Sequence, residues 1–374
     1  MIIELSADFS EFSASDWAPY HGAIENLIVA HGQGWHLFSP ARGAASSILN
    51  GCALSLTQRQ IFEHHVFSRM AVLSGQAKAA HLTILANVNG REGHTSRNNQ
   101  VGVPLQIFSD PRNCAPSKLI TENASTDGRV LELLANLMAR ELGYGSPLQF
   151  ELVHGGGGTT ATCYGAACGS GQPALCVVDS DRKYPGAPLG ETARQVELLN
   201  GSEISPATRF FTLPVRELEN ALPLSVWLDV YSANAEVRAR VERLLRYAKR
   251  RVIERVQDER NVLDYFDFKS GLKRGDVAKI PDAARPAFVR FAQIVSHHDR
   301  TKGDYTDKSD TTLIHPGVAD AALSQFVSYL EGPVPLGRKV VAQKIQKSPL
   351  WNWLEGLLKL VLAYGVAGQK LPFR

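Results

Sequence analysis

Apolar positions fall into two kinds of run along this chain. The short, nearly continuous ones at 118–121, 174–178 and 210–213 read as strands buried on both faces. Others recur every three to four residues. Val130, Leu134, Leu137 and Met138 share one helical face over 127–142, and Gly143 and Gly145 stop that helix. A further strand over 148–153 ends in His154 and four glycines, and a short helix is predicted over 160–167. Strands separated by helices of this length predict βαβ units and a parallel sheet across 113–232.

The flanks read differently. Residues 1–112 mix strand-like pieces at 34–38 and 80–88 with a helix over 56–73, for which Thr57 is the expected cap. The polar run 89–99 reads as an exposed loop. From 233 onward the chain reads as helical. Val237, Val241, Leu244, Leu245, Ala248, Val252 and Val256 form one stripe, and a shorter helix is expected near 286–295. The most apolar stretch, 350–366, carries Asn352, Glu355 and Lys359, so it predicts a buried or interface helix rather than a membrane span. The expectation is an α/β chain in three parts: an N-terminal α+β domain (1–112), a parallel-sheet core (113–232) and a helical C-terminal domain (233–374).

Composition adds little to the fold and more to the setting. An apolar fraction of 44% with 21% charged residues is that of a soluble globular protein. The five cysteines lack metal-ligand spacing and read as reduced thiols, and no signal peptide is seen; a cytoplasmic protein is expected. A net charge of +3 does not by itself argue for nucleic acid. Its distribution does, because 236–255 carries eight basic against three acidic residues. Arg243, Arg246, Lys249 and Arg250 on that helix are candidate contacts to a phosphate backbone; the other reading is a solvated face or one that docks on an acidic partner. Phosphate contacts carry no base information, so RNA and DNA stay equal.

The chemistry concentrates in acids at the ends of expected strands. Glu122 follows the strand at 118–121. Asp179 and Asp181 follow the strand at 174–178. Glu219 lies in Arg216-Glu217-Leu218-Glu219-Asn220. Strand carboxyl ends of an open α/β sheet converge on one crevice. Carboxylates gathered there repel one another unless a hard cation lies between them, which points to Mg²⁺ or Mn²⁺ and to phosphoryl chemistry. Glu122 is placed either to ligate metal or to move a proton. Glu219 has two open readings, a fourth ligand or a structural anchor. Arg182 and Lys183 follow at once and are candidates to neutralise a phosphate. Asp127 reads as a helix cap. Gly155 to Gly158 lacks a Gly-Lys-Ser/Thr ending, so a Walker mechanism has no support. The His297-His298-Asp299 cluster reads as a solvated loop.

A glutamate ending a first strand, a helix, a glycine-marked second strand, then Asp-x-Asp ending a third resembles the Toprim domain of topoisomerases, primases and related nucleases. The resemblance covers about residues 115–230, with Glu122, Asp179 and Asp181 on the family motif and Asn123 where many relatives carry glycine. Glu219-Asn220 is similar to a strand end of Toprim proteins in antiphage systems, including overcoming-lysogenisation-defect nucleases and the PARIS effector. The resemblance implies a metal-dependent endonuclease, an abortive-infection role, transfer RNA as one target, and a partner ATPase or other defence subunit, in a homo-oligomer or complex. Two alternatives remain beside it: primase-like nucleotidyl transfer, and a non-catalytic module that binds nucleic acid or a partner.

Overall fold

A computed structural model describes residues 1–88, 93–95, 100–199, 207–253, 261–296, 305–333 and 337–371. The histidine cluster at 297–299 and most of the 89–99 run lie outside the described residues. Contacts divide the chain into two compact units. One comprises 1–177, 195–211 and 355–374; the other comprises 178–194 and 212–354.

The first unit contains a five-stranded sheet, built from β1 (Ile2–Leu5), β2 (Leu37–Pro40), β3 (Thr83–Asn87), β4 (Gly93–Thr95) and β5 (Gln100–Pro104), in the order β2-β1-β3-β5-β4. All its pairings are parallel except β4 with β5. The N-terminal segment is therefore α/β, where the mixed pattern had predicted α+β. The helix His21–Gly32 returns the chain between β1 and β2, and a succession of helices does so between β2 and β3, so these strands run in one direction. The expected helix over 56–73 is broken. Ser55, not Thr57, caps it through a box with Gln58, and a π turn at Phe62–Val66 separates Leu56–Ile61 from Met70–Ala79.

The second sheet comprises β6 (Lys118–Thr121), β7 (Glu151–His154), β8 (Ala174–Val178) and β9 (Thr208–Thr212), in the order β7-β6-β8-β9. β6 runs parallel to both neighbours, with Thr121 opposite His154 on one side and Val177 on the other. All five residues of β8 are buried, which is why its sequence is an unbroken apolar run. β6 and β8 occupy the predicted spans. Helices Arg129–Met138 and Thr160–Ser170 make the crossovers; the first buries Val130, Leu131, Leu134, Ala135 and Met138. The C-terminal helix Trp351–Gly365 buries Leu357, Leu358, Val361 and Leu362, and Gln149 donates its N–H to the Gly365 carbonyl at 2.8 Å. Among the described residues no helix is long and apolar enough to cross a membrane.

The second unit is mostly helical, with one two-stranded antiparallel ribbon, β10 (Leu272–Lys273) and β11 (Leu313–His315). Its core gathers Trp227, Phe268 and Phe326, with ring centroids 5.7 and 5.9 Å from the indole. The long helix Ala235–Ile253 buries Val241, Leu244 and Tyr247, the last edge-on to Phe291 at 4.8 Å.

Candidate functional site

Glu122 is the first residue beyond β6. It is half-buried, its carbonyl accepts the Gly156 N–H at 2.9 Å, and its carboxylate faces the glycine turn: Oε2 lies 4.0 Å from where a Gly157 Cβ would stand. The same carboxylate is one of the charges that push the Cys176 thiol up, after burial and Cys168. Gly156 and Gly157 adopt φ of 66° and 62°, consecutive left-handed residues that L side chains rarely tolerate. The glycine run is thus required by its own backbone turn. Asp127 accepts the Asn123 N–H at 3.0 Å but is not the expected N-cap: Asn123 caps the turn Ala124–Gly128 that contains Asp127, and Gly128 precedes the helix Arg129–Met138.

Asp179 and Asp181 follow β8. Asp179 is half-buried and Asp181 exposed. Asp181 has φ 54° and is the non-glycine residue with positive φ among the described ones. Three contacts impose that backbone. The Asp181 N–H donates to the Arg216 carbonyl at 3.0 Å, the Gly190 N–H to the Ser180 carbonyl at 2.9 Å, and the buried Ser180 hydroxyl to the Val215 carbonyl at 2.7 Å. Gly190 packs against the Asp181 side chain, since a Cβ there would stand 2.3 Å from Oδ2 and 2.6 Å from Cβ.

At Arg216, whose carbonyl accepts the Asp181 N–H, the second unit assembles a charged group from distant sequence. Glu217 is buried, caps the short helix Leu218–Ala221 in a box with Asn220, and leaves Oε2 with no hydrogen-bond partner among the described residues. Burial raises its carboxyl pKa; Lys269 and Arg216 oppose that, while Asp267 and Asp181 add to it. The Arg216 guanidinium donates to Asp267 Oδ2 at 2.6 Å and lies 3.7 Å from Glu217 Oε1. Burial raises Asp267 too, but hydrogen bonds from Ser270 and Lys269 and the Arg216 charge outweigh it, so the group ends below the usual carboxylate range. Glu219 is buried and points to Lys269, Nζ to Oε1 3.8 Å, while its carbonyl accepts the Trp227 indole N–H at 3.3 Å. Glu217, Asp267 and Lys269 were not singled out by the strand-end pattern. The only signal for Glu217 was its place two residues before Glu219.

Of the basic candidates, Arg182 is half-buried and its N–H donates to Ser180 Oγ at 3.3 Å; Lys183 is exposed. On Ala235–Ile253 the positive face is narrower than its composition. Arg238 pairs with Glu242 at 3.0 Å and Arg240 with Glu236. Arg246 and Lys249 are exposed and make no ion pair among the described residues, and with Arg243 they line a groove of about 460 Å³. Burial, then Arg246 and Arg240, lower the Arg243 pKa. The Arg250 side chain lies outside the described ones.

Carboxylate oxygens are the donors a hard cation takes. In the conformation described, no three histidine, cysteine or carboxylate side chains among the described residues are gathered so as to hold a metal ion. A scan against family models and searches of curated proteins and solved structures return no match to this chain.

Proposed function

We propose that this chain is a divalent-metal-dependent phosphodiesterase acting on nucleic acid, with Glu122, Asp179 and Asp181 as its working acids. The observation that carries the reading is the left-handed Asp181 in the turn after β8. A residue kept in a costly backbone conformation by several converging contacts is a mark of a functional turn. Support also comes from the sheet order, in which the strand ending before Glu122 neighbours, in parallel, the strand ending before Asp179. Ligands of open α/β sheets bind beyond such strand ends.

In this reading Asp179 and Asp181 would hold Mg²⁺ or Mn²⁺, with Glu122 as a third ligand or a proton carrier. A bound divalent ion supplies charge stabilisation to a phosphoryl oxygen. In the same reading Arg182 and Lys183 would offset phosphate charge beside the turn, and Glu122 would hold or release a proton. The Toprim-like arrangement, a role in antiphage defence, transfer RNA as target and a partner ATPase belong to the same proposal and rest on the order of the motifs. A non-catalytic nucleic-acid-binding module is the second reading, favoured by the exposed Arg246 and Lys249, which make no ion pair among the described residues.

The test is cleavage of labelled RNA, including structured transfer RNA, and of DNA, with Mg²⁺ or Mn²⁺. Asp179→Asn is expected to lower the rate roughly a hundred-fold or more, the loss that follows from removing about 3 kcal/mol of charge stabilisation. Equal rates in wild type and variant reject the enzyme.

A further inference from the structure

The second unit contains a cavity of about 200 Å³ that the reading above does not use. We propose that it is a pocket for one unstacked nucleobase with its adjoining phosphate, a substrate subsite of the phosphodiesterase reading on which it rests. Phe266, Phe288 and Phe291 are buried and form an aromatic floor, and Tyr184 and Tyr265 stand half-buried in the wall. Lys183, Arg216 and Lys279 supply positive charge around it.

Size, chemistry and position each restrict the occupant. Drug-sized ligands fill roughly 300–1,000 Å³, so this cavity takes a single ring system. Aromatic walls with cations alongside are how proteins hold bases splayed out of a strand, because every base has a stacking face and a neighbouring phosphate. Both carboxylates that line the cavity are engaged. Asp267 accepts from Arg216, and Asp276 accepts the Lys273 N–H and lies 3.8 Å from Lys279. Lys183 makes no ion pair among the described residues, which leaves its charge for the ligand. Arg216 donates to Asp267 and lies within ion-pair distance of Glu217, while its buried Nε makes no hydrogen bond among the described residues.

The pocket is built onto the Asp181 turn. Lys183 and Tyr184 are the second and third residues after Asp181, and Arg216 holds Asp181 through its carbonyl. Asn220 donates to the Leu263 and Phe266 carbonyls at 2.7 and 2.9 Å, which fixes the segment carrying Tyr265 and Phe266. A base seated here therefore belongs to a nucleotide next to the phosphate at Asp181.

The base can come from a strand or from a free nucleotide, and the test separates them. Binding of a fluorescent single-stranded oligonucleotide, the matching blunt duplex and a mononucleotide is measured on Asp179→Asn protein in EDTA, so that no cleavage interferes. Tyr184→Ala and Tyr265→Ala are each expected to weaken single-strand binding about five- to hundred-fold, with duplex binding changed less, and Tyr184→Trp is expected to restore it. Loss confined to the mononucleotide assigns the pocket to free nucleotides. Unchanged affinity for the single strand and the mononucleotide in both alanine variants, with thermal melts like the parent's, overturns the pocket, as does failure of the parent to bind either of these two probes. Wild-type protein that does not cleave, while the tyrosine variants lose binding, rejects the phosphodiesterase and leaves the pocket standing.

Discussion

Asp181 concentrates what a single residue can reveal. An L residue in the left-handed region costs about 1–2 kcal/mol, less for Asp and Asn than for others. Asn keeps that tolerance and removes the charge. Asp181→Asn is therefore expected to unfold in urea within about 0.5 kcal/mol of wild type, whereas Asp181→Ala loses about 1 kcal/mol more. Gly190→Ala places a methyl 2.6 Å from the Asp181 Cβ, an atom near the backbone that cannot swing aside. It is expected to cost about 1–3 kcal/mol. Should Gly190→Ala melt like wild type, the packing of Gly190 on Asp181 would not be what fixes the turn. The acid itself was legible in the sequence, because Asp-x-Asp follows an apolar run. Its backbone was not, because φ is imposed by the Arg216 carbonyl and Gly190, which lie 35 and 9 residues further along.

At the scale of elements, legibility followed burial. β6 and β8 occupy the predicted spans because buried parallel strands are contiguous apolar runs. The helices Ala235–Ile253 and Trp351–Gly365 were equally plain from their apolar stripes. β1 and β5 were not anticipated, and without them the parallel sense of the first sheet could not be read. The basic helix gives the clearest element-scale prediction. Arg238 and Arg240 are engaged with i,i+4 partners, so among the described side chains of this helix Arg246 and Lys249 are exposed cations with no ion pair. If they touch a single strand, replacing both by alanine should lower the steepness of log affinity against log salt by about 1.4, at about 0.7 per phosphate. An unaltered slope in titrations from low to moderate salt would remove this helix from the binding surface.

Each compact unit of the molecule contains a buried histidine held neutral. His31 Nδ1 accepts the Phe38 N–H at 3.1 Å, and burial, with the His65 and Arg69 charges, lowers its pKa to about 4. Burial likewise lowers His315 to about 4, with Arg243 and Arg240 adding to it against hydrogen bonds to the Arg240 and Pro316 carbonyls. The sign follows directly: between pH 6.5 and 4 the unfolded chain binds these protons and the native one does not, so stability falls as pH falls. Each histidine contributes a slope of up to about 1.4 kcal/mol per pH unit in that window and nothing above about pH 7.5. Urea unfolding at pH 7.5, 6, 5 and 4.5 checks this. A flat profile would mean that both rings take up protons in the native protein.

Order along the chain set the strands, the helices and the placing of Glu122, Asp179 and Asp181 after apolar runs, since these depend on neighbours a few residues apart. Tertiary structure alone decided that Asp267 and Glu217 meet at Arg216, whose carbonyl holds Asp181, and that Tyr184, Tyr265 and Phe266 line one cavity. Those groups come from separate loops, joined by hydrogen bonds and burial across tens of residues, and no local periodicity encodes such meetings.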